Sequence, residues 1–282
     1  MAVLNQEDRE FWGEQGYVIV KDAVPPGNLE ALAEVIWDFQ EMDPENPESW
    51  YREPAFIEMA ELNRSGMVEL YHHQTLWDNR QFPAVHEAFS EIWGTEKLWV
   101  SIDRANMNLP FRPGWEFGGC IHWDIDTSQL PLPSEVQGLL ALEDTTEDGG
   151  GFQCVAGFPE RFDEWLRTQP SDRDPMKPDL AGLEVKQVQM LAGDLLIWNS
   201  LLPHGTSPNR SARPRLAQYI SMFPVPPDSE ALCRERIYSW RERLPRAGYA
   251  FPEDQLRREQ TFSSTARLTP LGRKLLGLDL WE

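Results

Sequence analysis

The chain has 282 residues, of which 41% are hydrophobic, and this share is adequate for a buried core. Its 46 acidic and 26 basic residues give a formal net charge of -20, which argues against nucleic acid and anionic membranes as partners, because both bind cationic surfaces. No stretch approaches the ~18 apolar residues of a membrane span and no signal peptide opens the chain, so we expect a cytoplasmic protein.

The first hundred residues predict helices around one strand. Capping residues and helical periodicity place the helices at about Asn5–Gln15, from Pro25 to Phe39, and from Pro83 to the stop signal Gly94. Between the first two lies Tyr17–Val20, whose β-branched and aromatic residues indicate a strand.

After Leu98 the pattern changes to short apolar runs separated by turn residues, with the spacing of a sandwich or barrel. The runs are Trp99–Ile102, Gln137–Leu142, Phe152–Val155, Val185–Met190, Leu195–Trp198 and Leu216–Phe223. Helices are predicted at Arg161–Arg167 and Pro270–Leu276. We therefore expect one domain over residues 1–282, mainly β with helical additions: a helical part to about 97, a β core over about 98–225 and a helical tail from about 226.

His122 and Asp124 are the first candidates for metal ligands. Residues i and i+2 of a strand share a face, so both can bind one ion if residues 118–123 end a strand. The triplet alone is a weak signal, because chance supplies it in about a quarter of such chains. Two histidines and one carboxylate suit Fe(II) in an oxygenase, and a zinc hydrolase can use the same set.

His204 is the best candidate for the second histidine, because it lies at the end of a strand before a turn-rich segment. The remaining histidines are His72, His73 and His86. We expect His86 to be partly exposed on its helix, and His72 and His73 to be at the surface or behind the site. Cys120 would share the strand face of His122, although a place in the core is favoured; all three cysteines are expected as reduced thiols.

Three segments resemble the phytanoyl-CoA dioxygenase family. They are Phe11 with Gly16–Val20, the glycine-rich Asp148–Gly157, and Ala192–Trp198 followed by His204–Ser211 and Arg215. The family's usual proline in the glycine-rich segment is Ala156 here. The resemblance covers roughly residues 8–225 and is strongest in its last part.

The resemblance implies a double-stranded β-helix core, of the jelly-roll or cupin-like kind, that uses Fe(II), 2-oxoglutarate and O2. Carried over by position, His122, Asp124 and His204 would bind the iron. Related halogenases replace the carboxylate with a small residue, so Asp124 favours hydroxylation, desaturation or oxidative ring closure.

By the same resemblance, Arg215 would pair with the distal carboxylate of 2-oxoglutarate, and Thr206 would assist it. An arginine offers a carboxylate two parallel charge-assisted hydrogen bonds. Arg213 is the rival, expected on the same strand face two residues earlier, but its spacing from His204 matches less well.

The substrate class is open at this point. The resemblance includes enzymes of antibiotic biosynthesis, and an acidic protein would suit an aminosugar, so we expect a small molecule such as a sugar or another natural product. Trp115, Phe117 and Trp123 could form an aromatic wall, although ordinary packing is favoured. The alternatives are a non-catalytic jelly-roll module that binds carbohydrate and the zinc-dependent hydrolase.

Overall fold

The computed structural model describes residues 2–51, 66–115, 119–246 and 257–282. Within these ranges the helices are α1 Gln6–Gln15, α2 Pro26–Gln40, α3 Gln74–Arg80, α4 Pro83–Trp93, α5 Phe158–Leu166, α6 Glu230–Glu242, α7 Arg258–Phe262 and α8 Pro270–Leu276. The strands in the same ranges are β1 Tyr17–Val20, β2 Met67–Val68, β3 Leu98–Val100, β4 Ala105–Asn108, β5 Val136–Ala141, β6 Phe152–Cys154, β7 Lys186–Gln187, β8 Leu195–Asn199, β9 His204–Thr206, β10 Arg215–Tyr219 and β11 Met222–Pro224.

The described strands pair antiparallel in two facing sheets and one short ladder. The larger sheet has the order β1-β8-β5-β10-β4-β2, and the smaller has the order β7-β6-β9. Strands β3 and β11 pair separately. Neighbours in the larger sheet are far apart in sequence, which is how a jelly roll interleaves its strands.

An apolar core fills the space between the two sheets. Leu139 and Ala141 of β5 join Phe152 of the smaller sheet in this core. Leu140, between them in sequence, belongs to a second apolar cluster on the opposite face of the larger sheet. This alternation follows from the two-residue period of a strand and fixes which residues of each strand face the interior.

Helices cover the outer face of the larger sheet. Leu32 and Ile36 of α2 are buried in the same cluster as Leu140, and so are Leu98 and Leu275. Because one cluster takes residues from the N-terminal part, the β core and the tail, we propose that they form the single predicted domain. Among the described residues, no helix combines the length and apolar character that a membrane crossing requires.

Most predicted elements are confirmed, with differences at particular places. The helix from Asn5 and the strand after Gly16 form as expected, and Gly16 ends the helix in the left-handed conformation (φ 78°). The strand predicted at Val185–Met190 is shorter in the structure, where only Lys186–Gln187 is a strand. The single strand expected at Leu216–Phe223 is two, β10 and β11. Among the elements that were not predicted are α3, β2 and β4.

The histidines outside the predicted metal group are more buried than expected. His72 is fully buried, and its Nε2 contacts Ser239 Oγ at 3.1 Å and the Leu244 carbonyl at 2.9 Å. A surface position for His72 is therefore wrong. His86 is also buried and stacks on Trp281 with ring centroids 5.3 Å apart.

His72 should make the fold more sensitive to acid. Burial lowers the pKa of His72 to about 3, and the nearby Arg80 acts in the same direction. An unfolded histidine titrates near 6.5, so between these pH values the unfolded chain binds a proton that the folded chain does not. The contribution of His72 to the free energy of unfolding is therefore complete above about pH 6.5 and declines as the pH falls, by up to about 1.4 kcal/mol per pH unit.

A His72→Gln variant should lose this part of the acid sensitivity. Urea unfolding of the wild type and the variant at pH 7 and pH 5 measures it, since other groups titrate alike in both proteins. We expect the wild type to lose up to about 2 kcal/mol more than the variant over this interval. Equal losses in the two proteins would show that His72 does not cause the sensitivity.

Candidate metal centre

The side chains of His122, Asp124 and His204 converge beside the smaller sheet. His122 Nε2 lies 3.4 Å from Asp124 Oδ1, and His204 Nε2 lies 3.3 Å from Asp124 Oδ2. One ligand atom from each residue lies within 4.8 Å of the other two. A single ion with bonds of about 2.0–2.2 Å could reach all three atoms. In the described part of the chain, no other group of histidine, cysteine and acidic residues has this arrangement.

A single β-bridge, rather than the expected strand end, brings the two histidines together. The His122 N–H donates to the His204 carbonyl at 2.9 Å, and the His204 N–H donates back at 3.0 Å. This approach requires Gly205, because a Cβ atom there would collide with the Cys120 carbonyl oxygen. Asp124 follows in a bend outside any strand.

Backbone carbonyls fix the protonation of both imidazole rings. His204 Nδ1 lies 2.9 Å from the Leu202 carbonyl, and His122 Nδ1 lies 3.3 Å from the Cys120 carbonyl. Since a carbonyl only accepts, each Nδ1 carries a hydrogen, and with a metal bound each ring would present the lone pair of Nε2 to the ion. Both Nε2 atoms face Asp124, so the two rings are oriented as metal ligands.

The group is charged in a way that suits a cation. Burial raises the pKa of Asp124, but hydrogen bonds from His122, His204 and Gln137 outweigh it and hold this pKa well below its ordinary value. The hydrogen bond to Asp124 in turn raises the pKa of His122, against the effect of burial. A cation would replace the protons shared between these groups.

The three side chains differ in exposure, which leaves one side of the group open. His204 is 6% exposed, whereas His122 is 34% and Asp124 44% exposed. Phe152 stacks parallel to the His204 ring, with centroids 5.7 Å apart. The donor set and its open side fit an octahedral ion with three protein ligands and three free positions.

Arg215 is a buried cation near this group with an unsatisfied donor. It is 4% exposed, and its Nε donates to the Gly150 carbonyl at 3.2 Å. Its Nη1 is buried without a hydrogen-bond partner. Burial lowers the pKa of the guanidinium and Tyr219 opposes this effect, but arginine stays charged in proteins. A buried charge is costly unless it is paired, so this donor fits an anionic ligand.

The structure requires glycine at position 150 of the glycine-rich segment. This residue has φ 72°, and a Cβ atom there would collide with Asn108 Nδ2. The Gly150 carbonyl accepts from both Arg215 Nε and Asn108 Nδ2, so the segment holds the guanidinium in place.

Thr206 and Tyr219 complete the surroundings of Arg215. Tyr219 is four residues after Arg215 on β10 and therefore on the same strand face. Its hydroxyl makes hydrogen bonds with Thr206 and Arg215. Burial raises the pKa of Tyr219, against the nearby Arg215 and the hydrogen bond from Thr206, so the hydroxyl stays protonated. Sequence reasoning missed Tyr219, although its spacing from Arg215 was a usable signal.

Arg213 is not a competitor for this position. It lies in a bend before β10 and is exposed, so the expectation that it shares the strand face of Arg215 is wrong. The backbone carbonyl of Arg213 accepts from Asn209 Nδ2, which gives the residue a place in the turn.

Two further residues lie against the predicted ligands. Cys120 is exposed rather than in the core, with its Sγ 3.7 Å from His122 Nδ1, and all three cysteines are free as expected. Gln137 Nε2 donates to Asp124 Oδ2 at 2.8 Å. Nothing in the sequence distinguishes Gln137 from other strand glutamines, so it could not have been predicted.

Two of the three residues considered for an aromatic wall lie among the described residues, and both contact other aromatic side chains of the protein. Trp123 is fully buried against Phe158 and Phe162, as favoured. Trp115 is half-buried and meets Tyr51 edge to face at 5.7 Å between ring centroids. Phe117 lies outside the described residues.

Comparison with known proteins gives matches in both sequence and structure. The model of the phytanoyl-CoA dioxygenase (PhyH) family matches residues 12–217. A protein of Dictyostelium discoideum, provisionally named as a phytanoyl-CoA dioxygenase, is 24% identical over 263 residues. That alignment covers 77% of this chain and 74% of the relative.

Two solved structures share the fold. GlcNAc Inducible Gene 2 of Candida albicans has a TM-score of 0.75 at 11% identity, covering 99% of this chain and 77% of its own. The epimerase SnoN, in complex with Fe3+, alpha ketoglutarate and nogalamycin RO, has a TM-score of 0.54 at 16% identity, covering 78% of this chain and 83% of its own. These likenesses show the fold alone, and they confirm the predicted β-helix core with helical additions.

Proposed function

Because the chain belongs to the phytanoyl-CoA dioxygenase family, we propose that it is an Fe(II)- and 2-oxoglutarate-dependent dioxygenase that oxidises a small molecule with O2. The family makes it a dioxygenase or a related oxidoreductase. One observation supports the dependence on Fe(II) and 2-oxoglutarate. His122, Asp124 and His204 form a ligand group near a buried arginine whose Nη1 has no partner.

Each residue has a role that follows from its chemistry. The two Nε2 atoms and the Asp124 carboxylate would hold Fe(II) from one side. Arg215 would bind the distal carboxylate of 2-oxoglutarate, with the Thr206 hydroxyl beside it. When bound, the iron supplies the redox chemistry that couples oxidative decarboxylation of 2-oxoglutarate to oxidation of the substrate.

The polypeptide's own contribution is orientation and exclusion of water. The Leu202 and Cys120 carbonyls keep the imidazole rings in one tautomer. Phe152 and Trp198 pack against the His204 ring, with centroids 5.7 Å and 5.0 Å away, and shield it from solvent. The guanidinium of Arg215 is held in one orientation without a bound co-substrate, so binding costs little side-chain entropy.

For the reaction, we propose hydroxylation, desaturation or oxidative ring closure, because Asp124 occupies the position that halogenases leave open. For the substrate, we propose a natural product or a sugar-containing antibiotic precursor. The fold shared with SnoN, whose complex holds nogalamycin RO, supports this class. The charge of -20 would favour an aminosugar or another cationic molecule.

Release of succinate from 2-oxoglutarate tests the proposal. Purified protein with Fe(II), 2-oxoglutarate and O2 should release succinate faster when a substrate from a panel of aminosugars and polycyclic compounds is added. A preference for acyl-CoA thioesters would contradict the proposed substrate class. Substrate turnover without O2 would indicate a zinc hydrolase, and failure to bind metal or 2-oxoglutarate would indicate a binding module.

A further inference from the structure

Gln137 links the predicted metal group to the interior of the larger sheet. Its Nε2 donates to Asp124 Oδ2 at 2.8 Å, and its Oε1 accepts from Trp198 Nε1 at 3.0 Å. Gln137 and Trp198 are directly opposite each other on β5 and β8, so their side chains stand on the same face. Asp124, by contrast, lies in a bend and depends on side-chain contacts for its orientation.

The indole removes the usual ambiguity of a glutamine amide. The N–H of Trp198 can only donate, so the atom of Gln137 that faces it must be the oxygen. The NH2 group then faces Asp124, whose ionised carboxylate can only accept. Trp198 is 2% exposed, which fixes the first member of this chain of hydrogen bonds in the core.

We propose that Gln137 is a positioning residue that keeps Asp124 a one-oxygen ligand of the metal; this rests on the proposed function. Each carboxylate oxygen has one imidazole Nε2 as its neighbour, His122 at 3.4 Å from Oδ1 and His204 at 3.3 Å from Oδ2, but only Oδ2 also accepts the amide hydrogen of Gln137. Oδ1 therefore keeps the freer lone pairs for a metal. A carboxylate bound through both oxygens would occupy one more coordination position, and the chemistry needs the open positions for co-substrate and O2.

The contact differs from an ordinary structural hydrogen bond because it ends on the ligand itself. Partners that orient a ligand are worth about 10- to 100-fold in metal affinity when they are lost. Loss of the amide should also lower the melting temperature of the metal-free protein somewhat, because the buried Trp198 Nε1 loses its acceptor, so affinities are compared between folded variants.

Titration with Mn(II), a redox-stable stand-in for Fe(II), tests the proposal in Gln137→Met and Trp198→Phe. The first variant keeps the length of the side chain and removes its hydrogen bonds, so the Kd for Mn(II) should rise about 10- to 100-fold. The second keeps an aromatic ring against His204, which Trp198 contacts at 5.0 Å between ring centroids, but frees the amide, and the Kd should rise by a smaller factor. Gln129→Met makes the same chemical change at an exposed residue and should leave the Kd unchanged.

Thermal melting of the metal-free variants accompanies the titration. Wild-type affinity in a folded Gln137→Met variant would overturn the proposal and leave the proposed function intact. A wild-type protein that does not bind Mn(II) would instead overturn the proposed function. If Gln137→Met does not fold, Trp198→Phe decides, because unchanged affinity there would exclude an oriented amide as the cause.

Discussion

Alanine at His122 or Asp124 is expected to abolish 2-oxoglutarate-dependent succinate formation, with a loss of more than about 100-fold. Removal of a residue that merely orients a metal ligand costs about 10- to 100-fold, so removal of a ligand should cost more. The two side chains are 34% and 44% exposed, so their truncation leaves no cavity in the core and the variants should fold. Succinate release and Mn(II) affinity, measured on the same preparations, should both fall.

Asp126→Ala is the matched control for Asp124→Ala. Asp126 lies two residues further along, accepts a hydrogen bond from Ser128 Oγ at 2.6 Å and is not a member of the metal group. It should retain both succinate formation and Mn(II) binding. Full turnover in either His122→Ala or Asp124→Ala would refute the ligand assignment.

The second large effect is expected at Arg215. Arg215→Leu should raise the KM for 2-oxoglutarate about 30-fold or more, because loss of one partner of a buried charge pair costs about 2–5 kcal/mol and each 1.4 kcal/mol is tenfold. The KM of Arg215→Lys should lie between those of Arg215→Leu and the wild type, since lysine keeps the charge but not the two parallel hydrogen bonds. Steady-state kinetics with varied 2-oxoglutarate measures both.

Arg213→Leu makes the same change at the exposed arginine two residues earlier. Arg213→Leu should leave the KM for 2-oxoglutarate unchanged. The Mn(II) affinity of Arg215→Leu should stay near that of the wild type, because Arg215 is not a metal ligand. An equal rise in KM for the two leucine variants would show a general effect of surface charge. That result would remove Arg215 from the co-substrate site.

Helix ends and apolar strands could be predicted from the sequence, whereas a polar strand could not. Gly16 and Gly94 end helices in the left-handed conformation, as their positions suggest. Strand β4 was missed because its Asn106 and Asn108 are polar but buried, and Asn108 bonds to the backbone around Gly150. A polar residue that serves a site inside a sheet breaks the alternation on which strand prediction depends.

The candidate site could be predicted in part. The His122 and Asp124 pair and the distance from His204 to Arg215 are patterns in the sequence itself. The contact between His122 and His204 is a single bridge between distant segments, which no local pattern encodes. The role of Gln137 could be recognised only from its position opposite Trp198, which depends on the pairing of β5 with β8.

Anaerobic titration calorimetry of the wild-type protein, first with Fe(II) and then with 2-oxoglutarate, tests whether the three ligands and Arg215 form one site. We expect one Fe(II) per chain, and binding of one 2-oxoglutarate that becomes strong only after the iron is bound, because the co-substrate would contact both the metal and Arg215. Absence of iron binding, or 2-oxoglutarate binding that is equally strong without iron, would contradict the proposed site.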